Sequence, residues 1–175
     1  ATKAARALAD AGSIVSEVST VLTREMLDGL DHFWRARSWD AFLRMRADVR
    51  SKALPYISAW AESGSKLSGV DVVRGFNATM AIRAAAAMLF AEYDYVISPV
   101  SPVVKFPAEF AAPRNDPMKP FEHIIYTVTW NMAENPAVSI NGGYDADGFP
   151  IGVQIIGRRF DERGRNVPPV VRRAE

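Results

Sequence analysis

The sequence predicts an α/β protein in which helices pack on a mixed β-sheet. Two short apolar runs rich in β-branched residues, 137–140 and 151–156, flank a segment dense in Gly, Asp and Asn, which is the pattern of a β-hairpin. Upstream, the longest helical pattern starts at Ser68 and leads into a third apolar run at 95–98. Because these runs are continuously apolar rather than alternating, we expect parallel packing in a covered sheet.

The segment before the long helix is mainly helical. Residues 1–10 are rich in Ala and favour a helix, and Gly12 is suited to end it. The apolar residues that follow predict a short strand over 14–18. Further helices are predicted over 23–33, from Ser38 or Asp40 onward, and over 56–61.

The long helix should begin at Ser68, because Ser68 and Asp71 form a variant of the capping box. An apolar stripe follows at spacings of three and four residues, and we expect it to face a sheet or another helix. Its members are Val73, Phe76, Met80, Ala84 and Met88. Core packing is the expected role of this stripe, rather than ligand binding.

Residues 99–120 are predicted to form a long loop, because they contain six prolines and no sustained periodicity. The loop follows the strand at 95–98, and open α/β sheets place ligands beyond the carboxyl ends of their strands. Proline also lowers the entropic cost of ordering a loop. We therefore expect an ordered loop at the rim of a site, followed by a helix over 121–132.

The segment from Asn131 to Gly157 places small residues, prolines and turn residues at fixed spacing across the predicted hairpin. It resembles the C-terminal signature of the amidase signature family, which runs from an Asn through a Pro-Ala pair and a Gly-rich turn to a Gln and an Ile-Gly pair. The matching residues are Asn131, Pro136, Ala137, Gly148, Pro150, Gly152, Gln154, Ile156 and Gly157. The family has a Gly near Glu134 and Asn135, so the resemblance leaves the turn there undefined.

The resemblance implies a partial α/β/α sandwich and reaches from the start of the chain to about Asp161. Residues 1–160 are then the C-terminal segment of an amidase-type domain. The family hydrolyses amide C–N bonds with a Ser nucleophile, a second Ser and a Lys, and a Gly-Ser-rich loop forms its oxyanion hole. This sequence has no such loop, since its nearest imitation, Ser63-Gly64-Ser65-Lys66, lacks the paired glycines. We expect no catalytic residue here and no activity of this chain alone.

The resemblance also implies that the helix before Asn131 borders the pocket for the acyl part of the substrate. Its inward positions fall on Phe121, Ile124 and Val128, which share one helical face. These three are the candidate substrate-binding residues, and core packing without substrate contact is the alternative. An apolar wall favours a hydrophobic or aryl amide, although the family also includes the amidotransferase subunit that takes ammonia from glutamine.

Other chemistries have little support in the sequence. The two histidines, His32 and His123, form no pair at metal-binding spacing. A triad of His123 with Ser98 or Ser101 is a combination that arises readily by chance. No Gly-rich phosphate loop follows a predicted strand. We therefore expect no metal and no cofactor.

The composition is that of a soluble globular protein, with 175 residues, 49% hydrophobic and 23% charged residues, a net charge of +1 and no cysteine. We expect no nucleic-acid partner, no membrane association and a cytoplasmic location. The basic tail over 161–175 is predicted to be disordered. If the sheet is cut from a larger one, its strands lack neighbours, and we expect a homo-oligomer.

Two functions remain open at this point. One is a C-terminal fragment of an amidase-type hydrolase, which supplies strands and part of a pocket. Such a fragment would act on a small amide only when completed by the missing N-terminal half. The other is a free-standing, non-catalytic scaffold or assembly protein derived from the same fold.

Overall fold

The computed structural model describes residues 1–162, and most of the predicted tail therefore lies outside the described residues. Helices dominate the first half of the chain, and the strands follow in the second half. The helices are α1 (Thr2–Asp10), α2 (Arg24–Arg44), α3 (Ala47–Arg50), α4 (Pro55–Ser63), α5 (Gly69–Glu92) and α6 (Ile125–Ala133). The strands are β1 (Val96–Pro99), β2 (Ala137–Tyr144) and β3 (Pro150–Ile156), and short 3₁₀ turns occupy Gly64–Lys66 and Glu122–Ile124.

The three strands form one antiparallel sheet in the order β1-β3-β2. Ile156 of β3 lies opposite Val96 on one side and Ala137 on the other. The expectation of parallel packing is wrong for these strands, because the short turn between β2 and β3 imposes antiparallel pairing and β1 pairs with β3 in the same sense. The hairpin itself and the strand after α5 are confirmed.

Helices α5 and α6 cover one face of this sheet, which confirms an α/β fold of helices packed on a sheet. A buried cluster joins the two helices to strands β1 and β3, and it consists of Ala86, Phe90, Val96, Trp130, Ala133 and Ile156. The rings of Phe90 and Trp130 meet edge to face at 6.0 Å. On the other side of the sheet, Val138 and Ile140 of β2 stay exposed.

Helix α2 is one continuous helix, so the predicted start of a new helix at Ser38 or Asp40 is wrong. Thr23 caps it as expected, since its hydroxyl accepts a hydrogen bond from the Met26 amide at 3.1 Å. No Gly or Pro interrupts the helix between Leu30 and Arg44, and Asp40 forms an i,i+4 ion pair with Arg44. Residues that favour a cap are therefore held inside a helix by their neighbours.

The predicted strand at 14–18 is also wrong, because these residues form neither strand nor helix. Ile14 is 99% exposed, and Val15 and Val18 are exposed as well. The short apolar pattern has no strand beside it within the described part of the chain. A strand needs such a neighbour to satisfy its backbone hydrogen bonds.

Helix α5 begins with the predicted capping box. The Asp71 amide donates to the Ser68 hydroxyl at 3.2 Å, and the Ser68 amide donates to the Asp71 carboxylate at 2.9 Å. The prediction that the bulky stripe faces the core is wrong. The buried residues of α5 are Gly75, Thr79, Ile82, Ala86 and Phe90, whereas Val73, Phe76, Met80, Ala84 and Met88 are exposed.

Small residues explain which face of α5 is buried. A Cβ atom at Gly75 would lie 2.5 Å from the carbonyl oxygen of Gly29 in α2, and one at Gly29 would lie 2.7 Å from Cβ of Ala78. The two longest helices therefore cross with their backbones nearly in contact. Because this approach requires small side chains, the face of α5 with fewer large residues is turned inward and the bulky stripe is left outside.

The turn between α6 and β2 resolves the departure noted at Glu134. Glu134 adopts a left-handed conformation with φ of 58°, which glycine reaches at lower cost. Its carboxylate forms ion pairs with Arg83 of α5 and with Arg159, which follows β3. The chain therefore retains a left-handed turn here without glycine, and the side chain of Glu134 joins three segments.

No helix within residues 1–162 combines the length and the hydropathy that crossing a membrane requires.

We predict that Gly75→Ala lowers the free energy of unfolding by about 1–3 kcal/mol, because the added methyl group would overlap the backbone of α2. Gly69→Ala is the matched control, since a Cβ there meets nothing within 4 Å and Ala favours a helix. Urea denaturation of the two variants measures the difference. Equal stability of both variants would show that the crossing of α2 and α5 is looser than described.

Candidate functional site

An open groove with a volume of about 420 Å³ lies next to the carboxyl end of β1. One side is formed by the start of the proline-rich loop, at Val100, Ser101 and 103–106. The other side is formed by His123, Ile124 and Thr127, around the start of α6. The groove therefore lies where the sequence predicted a loop at the rim of a site.

The loop is fixed at its start by several contacts. The Val100 amide donates to the Gly152 carbonyl at 3.2 Å, which continues the pairing of β1 with β3. The Val103 amide donates to the Ser101 hydroxyl at 3.2 Å. Lys105 binds the Asp147 carboxylate at 2.6 Å and lies 4.0 Å from the ring of Phe149. These contacts join the loop to the β2–β3 hairpin.

The loop is fixed at its other end by Arg35 of α2, which is 4% exposed. Its guanidinium donates to the Asp31 carboxylate at 2.8 Å, to the Ser63 hydroxyl at 2.5 Å and to the Pro117 carbonyl at 2.8 Å. The indole of Trp60 donates to the other carboxylate oxygen of Asp31 at 2.9 Å. A buried charge with this many partners is satisfied, and it holds the chain just before Phe121.

Gln154 of β3 ties the sheet to α6. It is 3% exposed, and its Nε2 lies 2.8 Å from the Ser98 hydroxyl and 2.6 Å from the Tyr126 carbonyl. The Pro99 carbonyl lies 3.1 Å from the same nitrogen. A buried amide with these partners fixes the end of β1 against the first turn of α6, and so sets the distance between the two sides of the groove.

The three candidate substrate-binding residues occupy two environments. Phe121 is 9% exposed, and its ring meets those of Trp34 and Trp60 edge to face at 5.0 and 5.9 Å. Val128 is 1% exposed in the same core cluster. Ile124 packs against this cluster and also lines the groove. Substrate contact by these residues stays a prediction, with Ile124 at the groove surface and the other two behind it.

His123 lines the groove without joining a catalytic triad in the described structure. The Ser98 hydroxyl contacts Pro99 and Gln154, and the Ser101 hydroxyl contacts Val103, while neither forms a hydrogen bond to His123. Nδ1 of His123 is buried and has no hydrogen-bond partner among the described residues. Burial lowers the pKa of the His123 imidazole from its ordinary value of 6.5, and the nearby Pro120 backbone opposes this shift.

The segment Ser63-Gly64-Ser65-Lys66 is a packed helix end. The Ser63 hydroxyl donates to the Trp60 carbonyl at 2.6 Å, and the Ser65 hydroxyl donates to the Glu62 carbonyl at 2.7 Å. A Cβ at Gly64 would lie 2.3 Å from the Arg35 carbonyl oxygen, so this glycine permits close packing of α2. Within residues 1–162, no group of three His, Cys, Asp or Glu side chains is arranged to hold a metal ion.

The family model described as Amidase matches residues 2–164, so the chain belongs to the amidase family. Over 144 residues it is 29% identical to one of the subunits of glutamyl-tRNA(Gln) amidotransferase from Lachnospira eligens, an alignment that covers 79% of this chain and 30% of that relative. The chain therefore spans less than a third of that relative.

Solved structures share the fold. A structure described as an amidase superposes with a TM-score of 0.77 at 16% identity, over 93% of this chain and 38% of that protein. A bacterial aryl acylamidase of the amidase signature family superposes with a TM-score of 0.72 at 18% identity, over 93% of this chain and 36% of that protein. At these identities the comparison establishes the fold alone.

The lowered pKa of His123 predicts a loss of stability on acidification. Since the folded state binds a proton at this ring less readily than the unfolded state, stability is complete above the ordinary pKa of 6.5 and is lost as the pH falls toward the folded-state pKa. We expect the melting temperature to fall between about pH 7.5 and pH 5.5, a range above that of ordinary carboxylates. His123→Gln should flatten this dependence, as measured by thermal melts across the range.

His32→Gln is the control for the pH prediction, because His32 lies on the exposed side of α2. This variant should keep the pH dependence of the native chain. An unchanged dependence in His123→Gln would contradict the assignment to the groove imidazole.

Proposed function

We propose that this chain is the C-terminal part of an amidase-type hydrolase, and that its groove binds the acyl part of an amide substrate. The observation that carries the proposal is the position of Ile124. It lines a groove beside the carboxyl end of β1, where α/β sheets bind ligands, and it belongs to the helix that precedes the family signature. The membership in the amidase family supports amide C–N hydrolysis as the reaction class.

Two uncovered surfaces support the view that the chain is one part of a larger domain. Helix α5 exposes a stripe of large apolar residues, of which Met88 is 75% exposed. The sheet exposes Val138 and Ile140 on the face away from α5 and α6. Apolar areas of this kind mark interfaces. A further layer of structure on the sheet would complete an α/β/α sandwich.

The proposed reaction requires groups that this sequence does not contain. In the family resemblance, a Ser nucleophile, a second Ser and a Lys act together with a Gly-Ser-rich loop. We propose that these groups lie in an upstream segment. The present chain then contributes the sheet edge, the groove and the proline-rich loop, and the chemistry takes place at the end of the acyl group that leaves the groove.

We predict that the 175-residue chain alone shows no turnover of simple amides or esters. Nucleophile and oxyanion hole act as a unit, and their loss removes almost all transition-state stabilisation. Assays of benzamide and of an activated ester with the purified chain measure this. Hydrolysis that disappears in Ser65→Ala would contradict the prediction and would locate a nucleophile in the helix end at Ser63–Lys66.

The groove favours a hydrophobic or aryl amide as the substrate. Five of its lining residues are apolar, namely Val100, Val103, Val104, Phe106 and Ile124. The ammonium group of Lys105 already pairs with Asp147. A charged acyl group would therefore lose its hydration without gaining a free counter-ion, which is costly.

We predict that Ile124→Ala weakens binding of benzamide by about 1–3 kcal/mol, the range for one apolar contact in a pocket. Propionamide should be nearly unaffected, because its short acyl group does not reach this wall. NMR titration of the full chain with the two amides measures both affinities. In an enzyme completed by its catalytic part, the same dependence on acyl size should appear in kcat/KM.

Ile125→Ala is the matched control for this prediction. Ile125 packs against the same core cluster as Ile124 but does not line the groove. Both variants should lose stability, and only Ile124→Ala should lose affinity for benzamide. Equal losses for large and small amides, or equal effects of the two variants on binding, would assign Ile124 to packing alone.

A non-catalytic assembly protein is the second candidate, and the exposed stripe of α5 is the observation that favours it. The same stripe and the outer face of β2 are the physical basis for the expected homo-oligomer, which stays a prediction. The expectations of a cytoplasmic location and of no nucleic-acid partner likewise stay predictions.

A further inference from the structure

His123 is the polar side chain of the groove whose hydrogen-bonding capacity is least used. The Ser101 hydroxyl accepts a bond from Val103, and the Thr127 hydroxyl donates to the Ile124 carbonyl at 3.1 Å. Lys105 is paired with Asp147. Nδ1 of His123, in contrast, is buried without a hydrogen-bond partner among the described residues.

The imidazole of His123 is held in place although it lacks such a bond. Its ring meets that of Phe106 edge to face, with centroids 5.9 Å apart and an interplanar angle of 71°. Phe106 belongs to the loop, and His123 belongs to the 3₁₀ turn before α6. The ring is therefore fixed between the two sides of the groove, next to the apolar surface of Ile124.

We propose that His123 is a specificity-determining residue, which hydrogen-bonds a neutral polar substituent on the acyl part of an aryl amide. This inference rests on the proposed function, in which the groove binds the acyl group. It adds that the preferred acyl group combines an apolar ring with a hydroxyl or a similar uncharged group. A purely hydrocarbon acyl group fills the same space but leaves the imidazole unpaired.

The charges near His123 favour an uncharged partner. Lys105 is neutralised by Asp147, and the neighbouring carboxylate of Glu122 lies 3.8 Å from the guanidinium of Arg114. Burial favours the neutral imidazole, which offers one donor and one acceptor. A hydroxyl group can use either of them, whereas an anionic substituent finds no unpaired cation among these groups.

The size of the expected discrimination follows from the hydrogen bond. A neutral hydrogen bond contributes a net amount that corresponds to about three- to tenfold in affinity. Sites that form such a bond select against analogues that lack the polar group, because the protein partner then stays unsatisfied. The contrast should therefore appear between two ligands of nearly equal volume.

The experiment is an NMR titration of the 175-residue chain with 4-hydroxybenzamide and with 4-methylbenzamide. Both should shift the signals of Ile124 and Thr127, and the hydroxyl compound should bind about three- to tenfold more tightly. In His123→Phe this ratio should fall to near one, because affinity for the hydroxyl compound is lost. His123→Gln, which keeps a donor and an acceptor, should retain part of the ratio, and His32→Gln should retain all of it.

The outcomes separate this inference from the groove assignment. Equal affinities in the native chain, or an unchanged ratio in His123→Phe, would overturn the role of His123 while the shifts at Ile124 and Thr127 still support the groove. If neither compound shifts those signals, the groove assignment is rejected and the inference is rejected with it. Comparison of the two ligands on the native chain remains decisive even if His123→Phe does not fold.

Discussion

The buried guanidinium of Arg35 determines how the long loop reaches the groove. Its hydrogen bonds to Asp31, Ser63 and Pro117 join α2, the end of α4 and the last part of the loop. Removing water from a charge is costly, so each of these partners has to stay in place for the fold to be stable. The chain just after Pro117 contains Phe121 and the turn that carries the groove residues, and its path follows from these contacts.

Gln154 plays the corresponding role on the sheet side. It is a polar residue in an otherwise apolar strand, and it is buried because the ends of β1 and of the first turn of α6 present oxygen atoms to it. Arg35 and Gln154 thus hold the two sides of the groove through polar contacts that are buried in the protein. A groove supported in this way keeps its shape without a ligand.

Local signals in the sequence predicted the parts of the fold that depend on neighbours in the chain. The capping box at Ser68, the cap at Thr23 and the β2–β3 hairpin are of this kind. The buried face of α5 could not be predicted from hydrophobicity, since the close crossing with α2 at Gly75 selected small residues over the bulky stripe. The strand expected at 14–18 failed for a related reason, because hydrophobicity alone does not supply a neighbouring strand.

The groove was predicted in part for the same physical reason. Ile124 follows from helical spacing and the family resemblance, and the proline-rich loop after β1 indicated a rim. The loop residues that face Ile124 depend on the pairing of Lys105 with Asp147, two residues far apart in the sequence. His123 was considered only as a member of a triad, and its contact with Phe106 gave no signal in the sequence.

The strand order β1-β3-β2 has a consequence for biosynthesis. The central strand, β3, is the last of the three to leave the ribosome, and β1 has no partner in this sheet until β3 emerges. Helices α2 and α5 can pack against each other before then, so the nascent chain holds a helical half beside an unpaired, apolar strand. Premature termination before Pro150 would leave both β1 and β2 without their shared partner and open to aggregation.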